Sequence, residues 1–316
     1  MQFSLFVFII ALGKNIMVAK KTKTYFVCSD IHGFYKELIN SLSSSGFDQF
    51  NSSHILIVLG DIFDRGNHPW EIFQFLTRLP HERVILVKGN HEYLLEKLVR
   101  RKYPLSHDYS NGTYGTLISL YKDPKKEQMK WIEKNRGKIP NEILYLKSLD
   151  HYYKVEAELY RSKKLNRILN WLKSSSWLNY YELGQYIFVH SFIPLKIKDE
   201  LYSEPISFDY FPDWRNCEDE RLLELSTWNC PYEFYLKGYF DNELKKGKTL
   251  VCGHWHTALF YNELLYKDNP SKKLDIRKEN PIFKSEKFPG LIGLDTCTVL
   301  TKKVNILVLQ ESEIKI

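Results

Sequence analysis

The sequence lacks paired cysteines. Its five cysteines are odd in number, and none forms a Cys-x-x-Cys pair with another. Both observations argue against a disulfide framework and favour a reducing, cytoplasmic location. Cys28 and Cys252 stand inside apolar runs, where a buried thiol packs as a small hydrophobic side chain.

The sequence also lacks an apolar run long enough to cross a membrane as a helix. The apolar run at residues 3–12 has ten residues, against the roughly 20 that a membrane span needs. No lysine or arginine precedes it, and no small-residue cleavage site follows, which disfavours a signal peptide. We expect residues 1–23 to be a misplaced start, with Met17 as the true one, or a disordered leader. A membrane-associating segment at 1–16 and a cleaved signal are the alternatives.

Basic charge is sparse outside the first residues. The net charge is +7, but residues 1–23 contain four lysines and no acid, so residues 24–316 carry only +3. A specific nucleic-acid-binding face is therefore not expected. The 316 residues are 44% hydrophobic and 26% charged, which is typical of a globular protein with one large domain or two ordinary ones.

What the sequence does contain is a series of apolar strands that end in polar residues. Each of the first three predicted strands, at 24–28, 54–59 and 83–87, leads through a polar loop into a predicted helix, at 34–44, 69–79 and about 91–101. The polar residues Asp30, Asp61 and Asn90 are 31 and 29 residues apart, about one strand–loop–helix unit. Successive parallel strands would bring these loops to the same edge of a sheet.

Later strands repeat this arrangement after an interruption. Strands are predicted at 186–189, 249–252 and 291–294, which lead to His190, His254 and Asp295, with a closing strand at 304–309. Residues 102–183 contain helical runs at about 125–134 and 156–174 and no predicted strand. We predict that they form a helical insertion in one domain at 24–316. A cap over the site is the expected arrangement, and an annex on the back of the fold is the alternative.

The strand-end residues have the chemistry of metal ligands. Imidazoles, carboxylates and amide oxygens bind divalent ions, and a central carboxylate can bridge two ions roughly 3.5–4 Å apart, as in phosphate-ester cleavage. Such ions would supply hydroxide near neutral pH and neutralise charge on the phosphoryl oxygens. Each residue alone has a structural alternative, such as a buried histidine or a turn asparagine. It is not expected, however, that all six stand at the ends of predicted strands by coincidence. The set comprises Asp30, His32, Asp61, Asn90, His190 and His254.

Five segments resemble, in chain order, the motif series of the calcineurin-like metallophosphoesterases. They are Asp30-Ile31-His32-Gly33, Gly60-Asp61-Ile62-Phe63-Asp64-Arg65-Gly66, Gly89-Asn90-His91-Glu92, Val189-His190 and Gly253-His254. Their Asp-Arg-Gly and Asn-His-Glu forms are similar to the phosphoprotein phosphatase branch, which includes serine/threonine protein phosphatases and symmetrical diadenosine-tetraphosphate hydrolases. The resemblance covers about 24–101, 184–191 and 249–309. It implies an α/β fold, a two-sheet β-sandwich flanked by helices.

The resemblance also implies roles for individual residues. Asp30 and His32 would hold one metal ion, Asn90, His190 and His254 would hold the other, and Asp61 would bridge them. His91 would protonate the leaving oxygen, with Asp64 orienting it. Arg65 would bind two phosphoryl oxygens through its planar fork, and Asn90 would also contact the substrate.

Two positions depart from the pattern. Lys88 stands where many protein phosphatases of the branch have arginine, and we expect it to bind phosphate as a point charge. His256 has no counterpart in most protein phosphatases, although the wider superfamily often uses a second histidine there as a ligand, so it is a further candidate. The implied cofactors are two divalent ions, manganese first, with iron or zinc as alternatives.

The expected function is hydrolysis of phosphomonoesters, with phosphoserine or phosphothreonine as the preferred substrates. The first alternative is hydrolysis of dinucleoside tetraphosphates or other small phosphorylated molecules, because the Gly253-His254-Trp255 and Leu294-Asp295-Thr296 forms are similar to those hydrolases. A binding module that keeps the fold without the activity is disfavoured by the intact His91 and Asp64. A nuclease is disfavoured by the low charge of 24–316. The expected partner is thus a phosphorylated peptide or small molecule.

Overall fold

Residues 24–101 alternate strands and helices as predicted. The structure is a computed structural model and describes residues 22–174 and 177–315. Its first elements are β1 (Thr24–Cys28), α1 (Tyr35–Ser44), β2 (His54–Leu59), α2 (Pro69–Arg78), β3 (Val84–Val87) and α3 (Asn90–Arg101). The expectations for the leader, including the apolar run at 3–12, Met17 and membrane contact through 1–16, lie outside the described residues.

The predicted insertion contains strands as well as helices. Its elements are α4 (Ser106–Ser110), α5 (Thr113–Leu120), α6 (Pro124–Asn135), α7 (Asn141–Leu159), α8 (Lys163–Leu172), β4 (Trp177–Leu178) and β5 (Tyr181–Leu183). The expectation of no strand before residue 186 was therefore wrong. Both missed strands are short, and neither has the apolar run that marks the other strands.

The remaining elements carry the later site loops. They are β6 (Tyr186–Phe188), β7 (Lys196–Leu201), β8 (Glu204–Asp209), α9 (Glu220–Ser226), α10 (Pro231–Leu236), α11 (Asp241–Lys245), β9 (Thr249–Cys252), α12 (Thr257–Phe260), β10 (Phe283–Lys284), β11 (Leu291–Gly293), α13 (Thr298–Thr301) and β12 (Leu307–Gln310).

Two sheets form a sandwich, with β7 and β8 as a separate hairpin. The first sheet has the order β12-β1-β2-β3-β4, in which β1 to β4 are parallel and β12 is antiparallel. The second has the order β10-β11-β9-β6-β5, in which β11, β9 and β6 are parallel. Between them, Val27, Ile57 and Leu59 pack with Phe188 and Val251. This α/β sandwich is the predicted fold class.

Helices cover the outer face of the first sheet because its strands are apolar on both faces. Phe26, Leu56 and Val58 pack in one buried cluster with Leu117 of α5 and Ile168 of α8. Part of the predicted insertion therefore belongs to the buried layer on the outer face of the first sheet. On the other sheet, residues from α10 and the loop before α9 bury its outer face.

The described residues contain no helix that is both long and apolar enough to cross a membrane. All five cysteines are described, and all are free thiols. Cys28 and Cys252 are buried in the strands, as predicted.

Candidate metal centre

The predicted site residues stand on strained loops at the strand ends. Left-handed backbone angles, which non-glycine residues rarely adopt, occur at Asp30 (φ 52°), His32 (φ 49°), Asp61 (φ 53°), Asp64 (φ 68°), Arg65 (φ 61°) and His254 (φ 64°). Such strain is typical of functional sites, where the surrounding structure holds an unfavourable backbone in place. The strain therefore marks the same loops that the motifs mark.

Glycine lets these loops approach one another closely. A β-carbon at Gly89 would overlap the Asp61 carboxylate, and one at Gly253 would overlap the carboxylate of Asp30 and the side chain of Ser29. Only a residue without a side chain fits at either position. The motif glycines thus allow the carboxylates to lie against the neighbouring strand-end backbone.

Asp61 lies at the centre of the site. Its Oδ2 is 3.7 Å from Nε2 of His32 and 3.8 Å from Nε2 of His91, and its Oδ1 is 3.4 Å from Nε2 of His190. Burial alone would raise the pKa of Asp61, but the imidazoles of His190, His91 and His32 hold it below its ordinary value. Oδ1 faces His190, whereas Oδ2 faces His32 and His91. The two oxygens thus face different imidazoles, which is the arrangement that a bridging ligand needs.

Two imidazoles are oriented for metal binding. The Nδ1 atoms of His32 and His190 lie 3.2 Å and 2.7 Å from the carbonyl oxygens of Phe63 and Leu59, to which they can donate. Donation to a carbonyl fixes the tautomer in which Nε2 carries a lone pair. In both residues that Nε2 faces Asp61, so these nitrogen and oxygen donors suit a divalent ion.

The second group of donors surrounds His190. Its Nε2 lies 2.8 Å from Oδ1 of Asn90 and 3.3 Å from Nδ1 of His254. Ligand atoms of Asp61, His190 and His254 all lie within 4.8 Å of one another, as do those of Asp61, His32 and His91. The donors therefore form two groups that share Asp61, which fits two ions.

Among the described residues, Asp30 lies outside both groups of ligand atoms and beside the backbone of His254. It accepts the backbone N–H of His254 through Oδ2 at 2.9 Å. Burial, Asp295 and Asp61 together raise the pKa of Asp30 to about 8, although His190 opposes the shift. Carboxylates buried this close repel one another unless a cation or proton offsets their charge. The negative charge around Asp30 is therefore of the kind that a bound cation or a proton offsets.

His91 and Asp64 form a buried pair. Nδ1 of His91 lies 2.6 Å from Oδ2 of Asp64. Burial lowers the pKa of His91, but Asp61 and the hydrogen bond to Asp64 raise it to about 8. The protonated ring is thus favoured near neutral pH, as a general acid requires. By distance, Nε2 of His91 also belongs to the first group, and the pairing of Nδ1 with Asp64 is compatible with both the acid role and metal binding.

Arg65 covers the first group of donors. Its Nη1 lies 3.0 Å from Nε2 of His32, and its Nη2 lies 3.3 Å from Nε2 of His91. Its side chain reaches the site from an exposed position. The two ends of the guanidinium therefore face the site together, where they can bind two oxygens of one anion.

The two departures from the motif pattern lie outside these groups. Nζ of Lys88 is 2.7 Å from Oε2 of Glu96 and lies over the ring of Tyr93. The structure thus places Lys88 in an ion pair, and its binding of phosphate as a point charge stays a prediction. Nδ1 of His256 is 2.9 Å from Oδ2 of Asp295. Burial lowers the pKa of His256, but the Asp295 carboxylate raises it, and the resulting pKa is about 10.

Several contributors were not predicted from the sequence. Glu92 accepts the backbone N–H groups of Asp61, Ile62 and Gly89 at 2.9 Å each, and so ties the second loop to the third. Its position in the Asn-His-Glu motif was the available signal. Thr113 and Thr116 of α5 contact Asp64, and no motif pointed to them.

Comparison with known proteins supports these motifs. A model of the calcineurin-like phosphoesterase family matches residues 23–258. The chain is 33% identical over 110 residues to the "probable serine/threonine-protein phosphatase" of Encephalitozoon cuniculi, a match that covers 31% of this chain and 23% of that protein. The chain therefore spans less than a quarter of that relative.

Similar solved structures include two phosphatases. A cold-active protein-tyrosine phosphatase of a Shewanella species is 16% identical, with a TM-score of 0.46, over 91% of this chain and 75% of that one. A serine/threonine phosphatase of Saccharomyces cerevisiae is 15% identical, with a TM-score of 0.38, over 86% and 66%. The family model spans most of the chain and includes all the predicted ligands. The chain belongs to the calcineurin-like phosphoesterase family.

Proposed function

We propose that this protein is a dimetal-dependent phosphoesterase that hydrolyses phosphomonoesters, with phosphoserine and phosphothreonine as its preferred substrates. The observation that carries the proposal is the position of Asp61 between two groups of metal donors, with the His91–Asp64 pair beside it. Metal donors, an acid and a cation on one face are what ester cleavage requires.

Two divalent ions would be held by residues of this chain. Asp30 and His32 would hold one, Asn90, His190 and His254 would hold the other, and Asp61 would bridge them. When bound, the ions supply Lewis-acid stabilisation of the phosphoryl oxygens and activation of the attacking water. Manganese is the metal we favour, because carboxylate, amide and imidazole ligands suit it, although iron and zinc accept the same set. The free thiols support a cytoplasmic location.

The remaining site residues act on the substrate. Arg65 binds two phosphoryl oxygens and so orients the phosphorus, because the two ends of its guanidinium lie together over His32 and His91. His91 donates the proton on Nε2 to the leaving oxygen as the ester bond breaks. Asp64 keeps Nδ1 of His91 hydrogen-bonded, so that Nε2 is the nitrogen that delivers the proton.

Hydrolysis of dinucleoside tetraphosphates is the second candidate. The ring of Trp228 lies 5.8 Å from that of His254, and the residue is 39% exposed. An exposed indole at the edge of a metal centre offers a surface on which a nucleobase can stack. The same indole can also pack against a peptide side chain, so substrate preference has to be measured.

The test is turnover of a phosphoserine peptide and of diadenosine tetraphosphate by the full chain with manganese. We expect kcat/KM to be at least about tenfold higher for the phosphopeptide, and we expect His91→Asn to lower it by about 10²–10⁴-fold. The reverse preference would support the second candidate. If the manganese-loaded chain turned over neither substrate, the proposed function would be contradicted.

A further inference from the structure

Helix α5 reaches the catalytic face from within the predicted insertion. Its apolar residues Tyr114, Leu117 and Leu120 pack in the same buried cluster as Phe63 and Leu95, from the second site loop and α3. Its first turn carries Thr113 and Thr116, both fully buried. The helix is therefore fixed by the core, and its first turn lies beside the Asp64 loop.

Both threonine hydroxyls bond to Asp64. Oγ1 of Thr113 donates to Oδ2 at 2.7 Å, and Oγ1 of Thr116 donates to Oδ1 at 2.7 Å. The backbone N–H of Asp64 donates to Oγ1 of Thr116 at 3.0 Å, so the hydroxyl proton of Thr116 points at the carboxylate. With His91 on Oδ2 as well, three donors hold the carboxylate in one orientation.

The same turn also supports the strained backbone next to Asp64. Asp64 and Arg65 both have left-handed angles. A β-carbon at Gly112, the residue before α5, would lie 2.6 Å from the Arg65 nitrogen, so the start of α5 packs directly against this backbone. The N-terminal end of a helix also favours a nearby negative charge. The start of α5 therefore contacts both the side chain of Asp64 and the backbone of Arg65.

We propose that Thr113 and Thr116 are positioning residues for the general acid His91, acting through Asp64. The proposal rests on the proposed function, because it assigns the threonines to the protonation step of that reaction. Without the hydroxyls, the carboxylate can rotate about its side-chain bonds and no longer holds Nδ1 of His91 in one position. Proton delivery from Nε2 then fails more often, and this matters most for esters with poor leaving groups.

The experiment compares two esters in isosteric variants. Thr113→Val and Thr116→Val remove the hydroxyls but keep the side-chain shape, and Thr113→Ser and Thr116→Ser keep the hydroxyls. We expect each valine variant to lower kcat about tenfold for a phosphoserine peptide and less than about twofold for p-nitrophenyl phosphate, whose leaving group needs little protonation. The serine variants should restore the phosphopeptide rate. Ser119→Ala, which removes a hydroxyl of the same helix that donates to the backbone carbonyl of Thr116, is the matched control.

A second readout does not depend on turnover. The Nδ1 proton of His91, identified by its absence in His91→Asn, should shift in the NMR spectrum of each valine variant and stay unchanged in Ser119→Ala. Equal loss on both esters in a folded valine variant, or no rescue by serine, would overturn the positioning role. So would an unshifted proton resonance. Lack of turnover on both esters by the unaltered chain would instead contradict the proposed function itself.

Discussion

Two cations near the site have very different surroundings. The guanidinium of Arg65 lies between the imidazoles of His32 and His91, whereas the ammonium of Lys88 is paired with Glu96. Of these two cations, Arg65 is the one whose charged group contacts the residues of the metal centre. An arginine fork binds two phosphoryl oxygens at once, which a lysine at the same position cannot reproduce.

Arg65→Lys and Lys88→Ala compare the contributions of these two side chains. We expect Arg65→Lys to raise KM for p-nitrophenyl phosphate by about tenfold or more, the cost of a lost charge-assisted hydrogen bond. Lys88→Ala should change KM by less than about twofold, since Nζ of Lys88 is already engaged. Steady-state kinetics with manganese measure both. A larger effect of Lys88→Ala would support the predicted role of Lys88 in phosphate binding.

Individual site residues differ in how well a sequence can reveal them. The six predicted ligands follow predicted strands, so their convergence follows from the direction of parallel strands. Thr113 and Thr116 come from a helix whose start has no strand before it, and Asp295 follows a predicted strand but its pairing with His256 was not predicted. Their contacts with Asp64 and His256 depend on tertiary packing, which no local pattern encodes.

A network of ion pairs and hydrogen bonds around the buried Glu243 joins α11, β5 and the segment between β8 and α9. Glu243 of α11 accepts from the hydroxyl of Tyr210 at 2.6 Å and from Arg215 at 2.8 Å. Arg215 also donates to Glu182 of β5 at 3.1 Å. Burial would raise the pKa of Glu243, but Arg215, Tyr210 and Lys246 hold it below the ordinary value of 4.5. The network therefore stabilises the fold through an ionised carboxylate.

We expect Glu243→Gln to lower the free energy of unfolding at pH 7 by about 2 kcal/mol, less than for a fully buried pair because Arg215 is partly exposed. Since the folded-state pKa of Glu243 is depressed, its contribution is complete above pH 4.5 and is lost as the pH falls below that value. Urea unfolding at pH 7 and pH 3.5 should show the difference between the two proteins narrowing in acid. A constant difference would argue against a charge-based role.

The elements with a clear apolar pattern were predictable, and those without one were not. Strands β1, β2 and β9 lie at the predicted residues because each is a continuous apolar run. The short strands β4 and β5 take their conformation from pairing with β3 and β6. Helix α7 was predicted only at its end, because its polar and apolar residues alternate without one clear apolar face.

Residues of the site loops and of the predicted insertion belong to one hydrophobic cluster. Helices α5 and α8 bury their apolar faces against α1, α2 and the first sheet. A deletion of residues 105–180, which would separate a cap from an annex, would also remove the contacts of Thr113 and Thr116 with Asp64. Point variants therefore resolve the role of the insertion better than its removal.

The most direct test of a dimetal centre is metal content measured together with turnover. The chain is stripped with a chelator, reloaded with manganese and analysed by elemental analysis, and Asp61→Asn is treated in the same way. For the unaltered chain we expect two ions per chain and turnover that is lost on stripping and restored on reloading. For Asp61→Asn we expect a lower metal content and no turnover, because the bridging ligand loses its charge. Full turnover by the metal-free chain, or an active Asp61→Asn with two tightly bound ions, would contradict the assignment of Asp61 as the bridge of a dimetal site.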